Sequence, residues 1–182
     1  MPRLFVALSI PDTVAQSLAL LQTGVPGARW QTREQLHLTL RFIGEVDGRE
    51  AVGVHDALSG IVAPPFTLEL HGTGEFGGKH PHALWAGVRP NEALLHLQRK
   101  VETAVQRAGI APERHKYTPH VTLARLRGMP VGRVLDYLTD HALYTSAPFA
   151  VNGFILYSSV LTSGGSIYRA EQAYRLKPLP SP

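Results

Sequence analysis

Two periodicities run along the chain: alternation of apolar and polar residues, which marks strands, and a three-to-four spacing, which marks helices. Residues 3–9 predict a first strand, and Pro11-Asp12 opens a helix to about Leu21, with Asp12 as its cap. A Gly/Pro loop from Gly24 to Arg29 leads to a strand in which Leu36, Leu38 and Leu40 alternate with His37 and Thr39. Gly44 closes it. A second helix is expected between Arg49 and Val62, stopped by Pro64-Pro65. Two strand-like stretches follow, Phe66–Leu70 and Ala83–Val88, separated by a predicted loop Gly72–Pro81. The strongest helical stripe is Leu94, Leu97, Val101, Ala104, Val105 and Ala108, which predicts a helix over Asn91–Ala108 ended by Gly109. Another strand begins near Thr118, and a short helix spans Val134–Leu143. Phe149–Val160 and Ile167–Leu176 then read as a closing hairpin around Ser163-Gly164-Gly165. The tail, Lys177 to Pro182, is expected to fray.

The polar positions matter most where they repeat. His37-Leu38-Thr39-Leu40 and His120-Val121-Thr122-Leu123 are two copies of one pattern, H-x-T-L. Strand geometry puts each histidine on one face with its threonine, and the apolar residues on the other. Each copy is followed by a glycine (Gly44, Gly128) and a short helix. This repeat predicts an α+β fold of two pseudo-symmetric, interleaved lobes, each a mainly antiparallel sheet with flanking helices. The motif strands would meet at a central groove, and residues 1–182 would form a single domain.

Composition narrows the picture only a little. The chain has 182 residues, 44% of them apolar, enough for a real core. It has no run of 18 apolar residues to span a membrane, and its N-terminus is too short in apolar residues for a secretory signal. Without cysteine it has no disulfide, thiolate metal site or cysteine nucleophile, and a cytoplasmic location fits. The net charge of +4 rests on 14 Arg and 4 Lys, scattered rather than clustered. That balance is compatible with an RNA substrate without identifying one.

The chemistry is constrained by residue type. One neutral histidine accepts a proton from water, and one protonated histidine gives a proton to a leaving oxygen. Reference pKa values near 6.5 let both forms coexist around neutral pH. Thr39 and Thr122 are placed to hold the non-bridging oxygens of a phosphate. The motif strands carry no carboxylate, so no metal or other cofactor is expected. Arg41 shares parity with His37 and Thr39, which makes it a candidate for the groove. Tyr117, Phe42 and Lys116 are candidates for holding a terminal base or the next phosphate.

These motifs resemble the 2H phosphoesterase superfamily, and within it the LigT-like RNA 2′,3′-cyclic phosphodiesterases, a group also called 2′-5′ RNA ligases. The resemblance covers nearly the whole chain. It includes Arg3–Leu8 as opening strand, Leu36–Gly44 (LHLTLRFIG) and Pro119–Arg125 (PHVTLAR) as the two signatures, and Phe154–Tyr168 as closing hairpin. It implies hydrolysis of a terminal 2′,3′-cyclic phosphate on RNA to a 2′-phosphate, with reverse 2′-5′ ligation at the same site. It assigns His37 as proton donor, His120 as proton acceptor, and Thr39, Thr122 and Arg125 as phosphate-binding residues. Strict alternation from His120 puts Arg125 on the wrong face, so this role requires a β-bulge near Ala124. The implied partner is RNA with a cyclic phosphate end, tRNA fragments among the candidates, acted on by a monomer.

Three rival readings compete with this one. His71, His80 and His82 form a cluster in which His80-x-His82 is a candidate metal pair, although the surrounding glycines suggest a loop and no carboxylate cluster is near. The second rival is a phosphodiesterase for another small cyclic or 2′-5′-linked diester, and the third is an RNA-end binding module without turnover.

Overall fold

The computed structural model describes residues 1–182. In chain order the strands are β1 (Arg3–Ser9), β2 (Arg29–Trp30), β3 (His37–Glu45), β4 (Phe66–Leu68), β5 (Leu70–Phe76), β6 (Ala83–Val88), β7 (His120–Arg125), β8 (Phe149–Val151), β9 (Gly153–Thr162) and β10 (Gly165–Arg175). The helices are α1 (Asp12–Ala19), α2 (Gly48–Ser59), α3 (Glu92–Arg107) and α4 (Val131–Asp140). The fold is α+β with antiparallel strand pairing, in two lobes. One lobe is β10-β9-β1-β3, made from both ends of the chain, and the other is β7-β6-β5, made from its middle. They join where Leu38 of β3 faces Val121 of β7. Past that pair the motif strands part, and β2 continues along the same edge of β7, with Trp30 opposite Ala124 and Arg29 opposite Arg125.

One sheet face is packed. Leu4, Val6 and Leu8 of β1, Leu38 and Leu40 of β3, and the stripe of α3 (Leu94, Leu97, Val101, Val105) belong to a core shared by both lobes. A smaller cluster, Leu84, Ala124, Leu126, Val134 and Tyr137, seats α4. The opposite face, carrying His37, Thr39, His120 and Thr122, is left open as the groove.

Several boundaries differ from those the sequence predicts. The stretch read as a loop, Gly72–Pro81, is strand as far as Phe76. Gly74 serves packing rather than flexibility: a Cβ there would lie 2.2 Å from the Trp85 ring, which lies across it. Phe66–Leu70 is not one strand, because Phe66–Leu68 pairs with β8 in a separate two-stranded sheet and Leu70 begins β5. Phe149–Val160 divides at Asn152 for the same reason. Asp12 does not cap α1. Pro11 occupies the cap, and the Asp12 carboxylate takes the Arg33 guanidinium at 2.7 Å. Helix α2 ends at Ser59, three residues earlier than expected, and begins with Asp47 and Glu50 in a reciprocal capping box. Helix α4 starts directly after Pro130, upstream of Val134. In the tail, the Lys177 N–H donates to the Ala63 carbonyl, so that residue is tied down.

Candidate active site

The two motif strands are built alike, down to an irregularity. On β3, Ser9 faces His37 and Ala7 faces Thr39; a shift then sets Val6 opposite Arg41 and Phe5 opposite Phe42. On β7, Gly87 faces His120 and Trp85 faces Thr122; a shift then sets Leu84 opposite Ala124 and Ala83 opposite Arg125. In both strands the extra residue is the motif leucine, Leu40 or Leu123. A bulge reverses the alternation beyond it. Phe42 and Arg125 therefore return to the groove face, while Arg41 and Ala124 turn to the packed face.

This is the bulge that a phosphate-binding role for Arg125 requires. Arg125 lines one cavity with His37, Thr39, His120 and Thr122. The cavity measures about 190 Å³, and Gln31, Gln35, Phe42, Phe76 and Tyr168 complete its wall. The same geometry corrects the parity expected for Arg41. Arg41 is 6% exposed, and its guanidinium bonds the Glu102 carboxylate on α3 and the carbonyls of Phe42 and Ala111. It borders an adjoining cavity of about 270 Å³ together with Phe42, Lys116, Tyr117 and His120. The Tyr117 hydroxyl donates to the Thr39 carbonyl at 2.9 Å, so its ring forms wall while its polar end braces the motif strand.

A backbone carbonyl orients the second histidine. His120 Nδ1 donates to the Thr118 carbonyl at 2.7 Å, which leaves Nε2 as the free nitrogen. For His37, the Gln35 backbone exerts the corresponding pull towards the charged form. The Gln35 side chain accepts from Thr32 N–H and donates to the Ser166 carbonyl, which ties the strand entry to the β9–β10 hairpin.

Aromatic rings enclose both imidazoles. His37 lies 4.9 Å from Phe5, 5.0 Å from Tyr168 and 6.1 Å from Tyr157. His120 lies 4.8 Å from Phe76 and 5.9 Å from Trp85. Desolvation penalises the charged imidazolium, so both histidines are pulled below their ordinary value. For His37, burial together with repulsion from His120 and Arg125 brings it to about 4, against the pull of the Gln35 backbone.

Sequence reading missed these rings. Alternation from Phe5, and from Phe154 through the closing hairpin, carried the signal for Tyr157 and Tyr168. The signal for Phe76 was hidden because its segment read as a loop. The rival histidines do not converge. His71 sits on β5 beside Arg89, with 3.5 Å between nitrogens, whereas His80 and His82 line a different surface cavity next to Arg127 and Met129.

Two facing strands, each with a histidine and a threonine aimed into one cavity, define a two-histidine phosphoesterase architecture. A family model for the 2′-5′ RNA ligase superfamily matches residues 10–161, and the chain belongs to that superfamily. It is 30% identical over 175 residues to an RNA 2′,3′-cyclic phosphodiesterase of Thermotoga maritima, covering 92% of this chain and 91% of that one. It is 32% identical to a like-named protein of Thermus thermophilus, covering 96% and 90% of the two chains. Among solved structures, apo LigT of E. coli superposes with a TM-score of 0.80 at 25% identity, covering 97% of this chain and 99% of LigT.

Proposed function

We propose that the protein hydrolyses the terminal 2′,3′-cyclic phosphate of RNA to a 2′-phosphate. Water attacks phosphorus as His120 Nε2 takes its proton; the bond from phosphorus to O3′ breaks, and His37 supplies the proton that O3′ needs to leave. Thr39, Thr122 and Arg125 hold the non-bridging oxygens while charge builds on them, a contribution of about 3 kcal/mol for one well-aimed donor. Ligation to a 2′-5′ linkage is the same exchange with a 5′-hydroxyl in place of water. Substrates are RNA ends, tRNA fragments included, and one copy of the chain supplies every group named. The carrying observation is that both histidines and both threonines line one cavity. Relatives named for cyclic phosphate hydrolysis support the same chemistry.

The direct test incubates the protein, in excess EDTA, with a short RNA ending in a 2′,3′-cyclic phosphate and identifies the product by mass and phosphatase sensitivity. A 2′-phosphate product is expected. A 3′-phosphate product, or conversion only with added metal, would overturn the assignment.

A further inference from the structure

Strand β2 is only two residues long, yet it places a second arginine beside Arg125. Arg29 and Arg125 are directly opposed on antiparallel strands, so both side chains rise from the groove face. Trp30, on the opposite parity, packs with the α4 cluster and so fixes which way β2 faces. Like charges directly across a pair of strands repel, and neither guanidinium is relieved by an acid. The ion pairs of the molecule use Arg3, Arg33, Arg41, Arg89 and His115. Both arginines are exposed. The Arg29 guanidinium reaches towards the β9–β10 turn, 3.0 Å from where a Cβ on Gly165 would stand, with the Gln35 amide at 3.5 Å from the same point. Gln35 lines the catalytic cavity but Arg29 does not, so the Arg29 head sits just outside the rim.

We infer that Arg29, with Arg125 as its inner neighbour, forms an outer subsite for a second phosphate: the 5′-phosphate of the terminal nucleotide, which in RNA is the next phosphodiester of the chain. This rests on the proposed cyclic phosphodiesterase reading and adds what the cavity alone lacks, a means of preferring RNA ends over free cyclic nucleosides. Guanidinium groups bind such oxygens through paired hydrogen bonds, and an anion between two cations removes their repulsion.

The test uses adenosine 2′,3′-cyclic phosphate with and without a 5′-phosphate, two substrates alike in base and reacting group. The wild-type protein is expected to favour the 5′-phosphorylated form in kcat/KM by tenfold or more. Arg29→Gln should bring that ratio close to one, and Arg29→Lys should retain part of it. A wild-type protein without the preference, or an Arg29→Gln variant that keeps it, overturns the subsite. So does an equal loss on both substrates, which would place Arg29 at the scissile phosphate or in the scaffold. Failure of the underlying reading shows separately, as no turnover of either substrate by the wild-type protein. In that event, calorimetric binding of 2′-AMP against adenosine 2′,5′-bisphosphate by wild type and Arg29→Gln decides the subsite on the same ratio.

Discussion

The two H-x-T strands share a register and a bulge, but they differ in what surrounds them. His37 is packed among Phe5, Tyr157 and Tyr168, and its pKa falls to about 4. His120 stands between Phe76 and Trp85 and is lowered without reaching that depth. Beyond the bulge the first strand presents Phe42 and the second presents Arg125. Duplication thus supplied two equivalent imidazoles, and the neighbouring rings and charges made them unequal. In the free protein His37 is neutral at pH 7, although its proposed role is to give up a proton. Burial is the largest cause of that lowered pKa, with repulsion from His120 and Arg125 behind it. In the proposed mechanism the negative charge of a phosphodiester in the cavity opposes those repulsions and raises the His37 pKa.

The largest effect should come from breaking this inequality at its chemistry. His37→Ala and His120→Ala are each expected to lower kcat/KM by about 10²- to 10⁴-fold, the range for one general acid or base. Loss of the two looks the same on the natural substrate. A cyclic substrate with sulfur in place of O3′ separates them, because a thiolate leaves without a proton. His37→Ala should recover most of its rate on that substrate, and His120→Ala should recover none. Recovery by the His120 variant instead would exchange the roles.

Much of this comparison was legible in the sequence, because a strand's two-residue period is strict wherever one face is buried. The motif strands, the α3 stripe and the pairing of histidine with threonine followed from it. What was not legible follows from the places where periodicity breaks. The bulges at Leu40 and Leu123 leave no local trace in composition, yet they decide that Phe42 and Arg125 enter the groove and that Arg41 leaves it. Gly74 looked like a loop residue because a glycine needed beneath a tryptophan ring has the same letter as one needed for a turn. The rings about His37 come from β1, β9 and β10, segments far apart in the chain, and only strand pairing brings them together.

A second, smaller asymmetry lies behind the strands. At the position after the bulged leucine the first strand has Arg41 and the second has Ala124. Arg41 joins β3, α3 and the loop at Ala111, while the second Glu102 oxygen accepts from Glu113 N–H at 3.0 Å. The same loop runs on to Thr118, whose carbonyl orients His120. Removing one member of a fully buried ion pair costs roughly 3–5 kcal/mol, and less here, because Arg41 is buried but Glu102 keeps 19% of its side chain exposed. Arg41→Met should therefore destabilise the protein in urea by about 3 kcal/mol or less, and Arg41→Met with Glu102→Gln should restore much of it. If the double variant is no more stable than the single, the pair is not what fixes the loop.

The smallest expected effect is a pH dependence carried by His37 alone. Its folded pKa of about 4 lies below the value near 6.5 of an unfolded chain. Between these limits the unfolded state binds more protons, so stability falls as pH drops from 6.5 towards 4 and levels off below. A full shift of this size corresponds to about 3 kcal/mol. Burial holds Glu102 back, but hydrogen bonds and charge bring it, like Glu113, below the ordinary carboxylate value. Stability owed to those acids and to the lowered His120 also declines on acidification, so the raw curve cannot isolate His37. The difference between wild type and His37→Gln can. Urea unfolding of the two proteins from pH 7.5 to 4 should give free energies that converge towards the acid end, because His120 is common to both and only the wild type also has His37 to protonate on unfolding. Parallel curves would mean that the rings of β1, β9 and β10 leave His37 as wet as an ordinary surface histidine, and the inequality between the two halves of the site would then lie elsewhere.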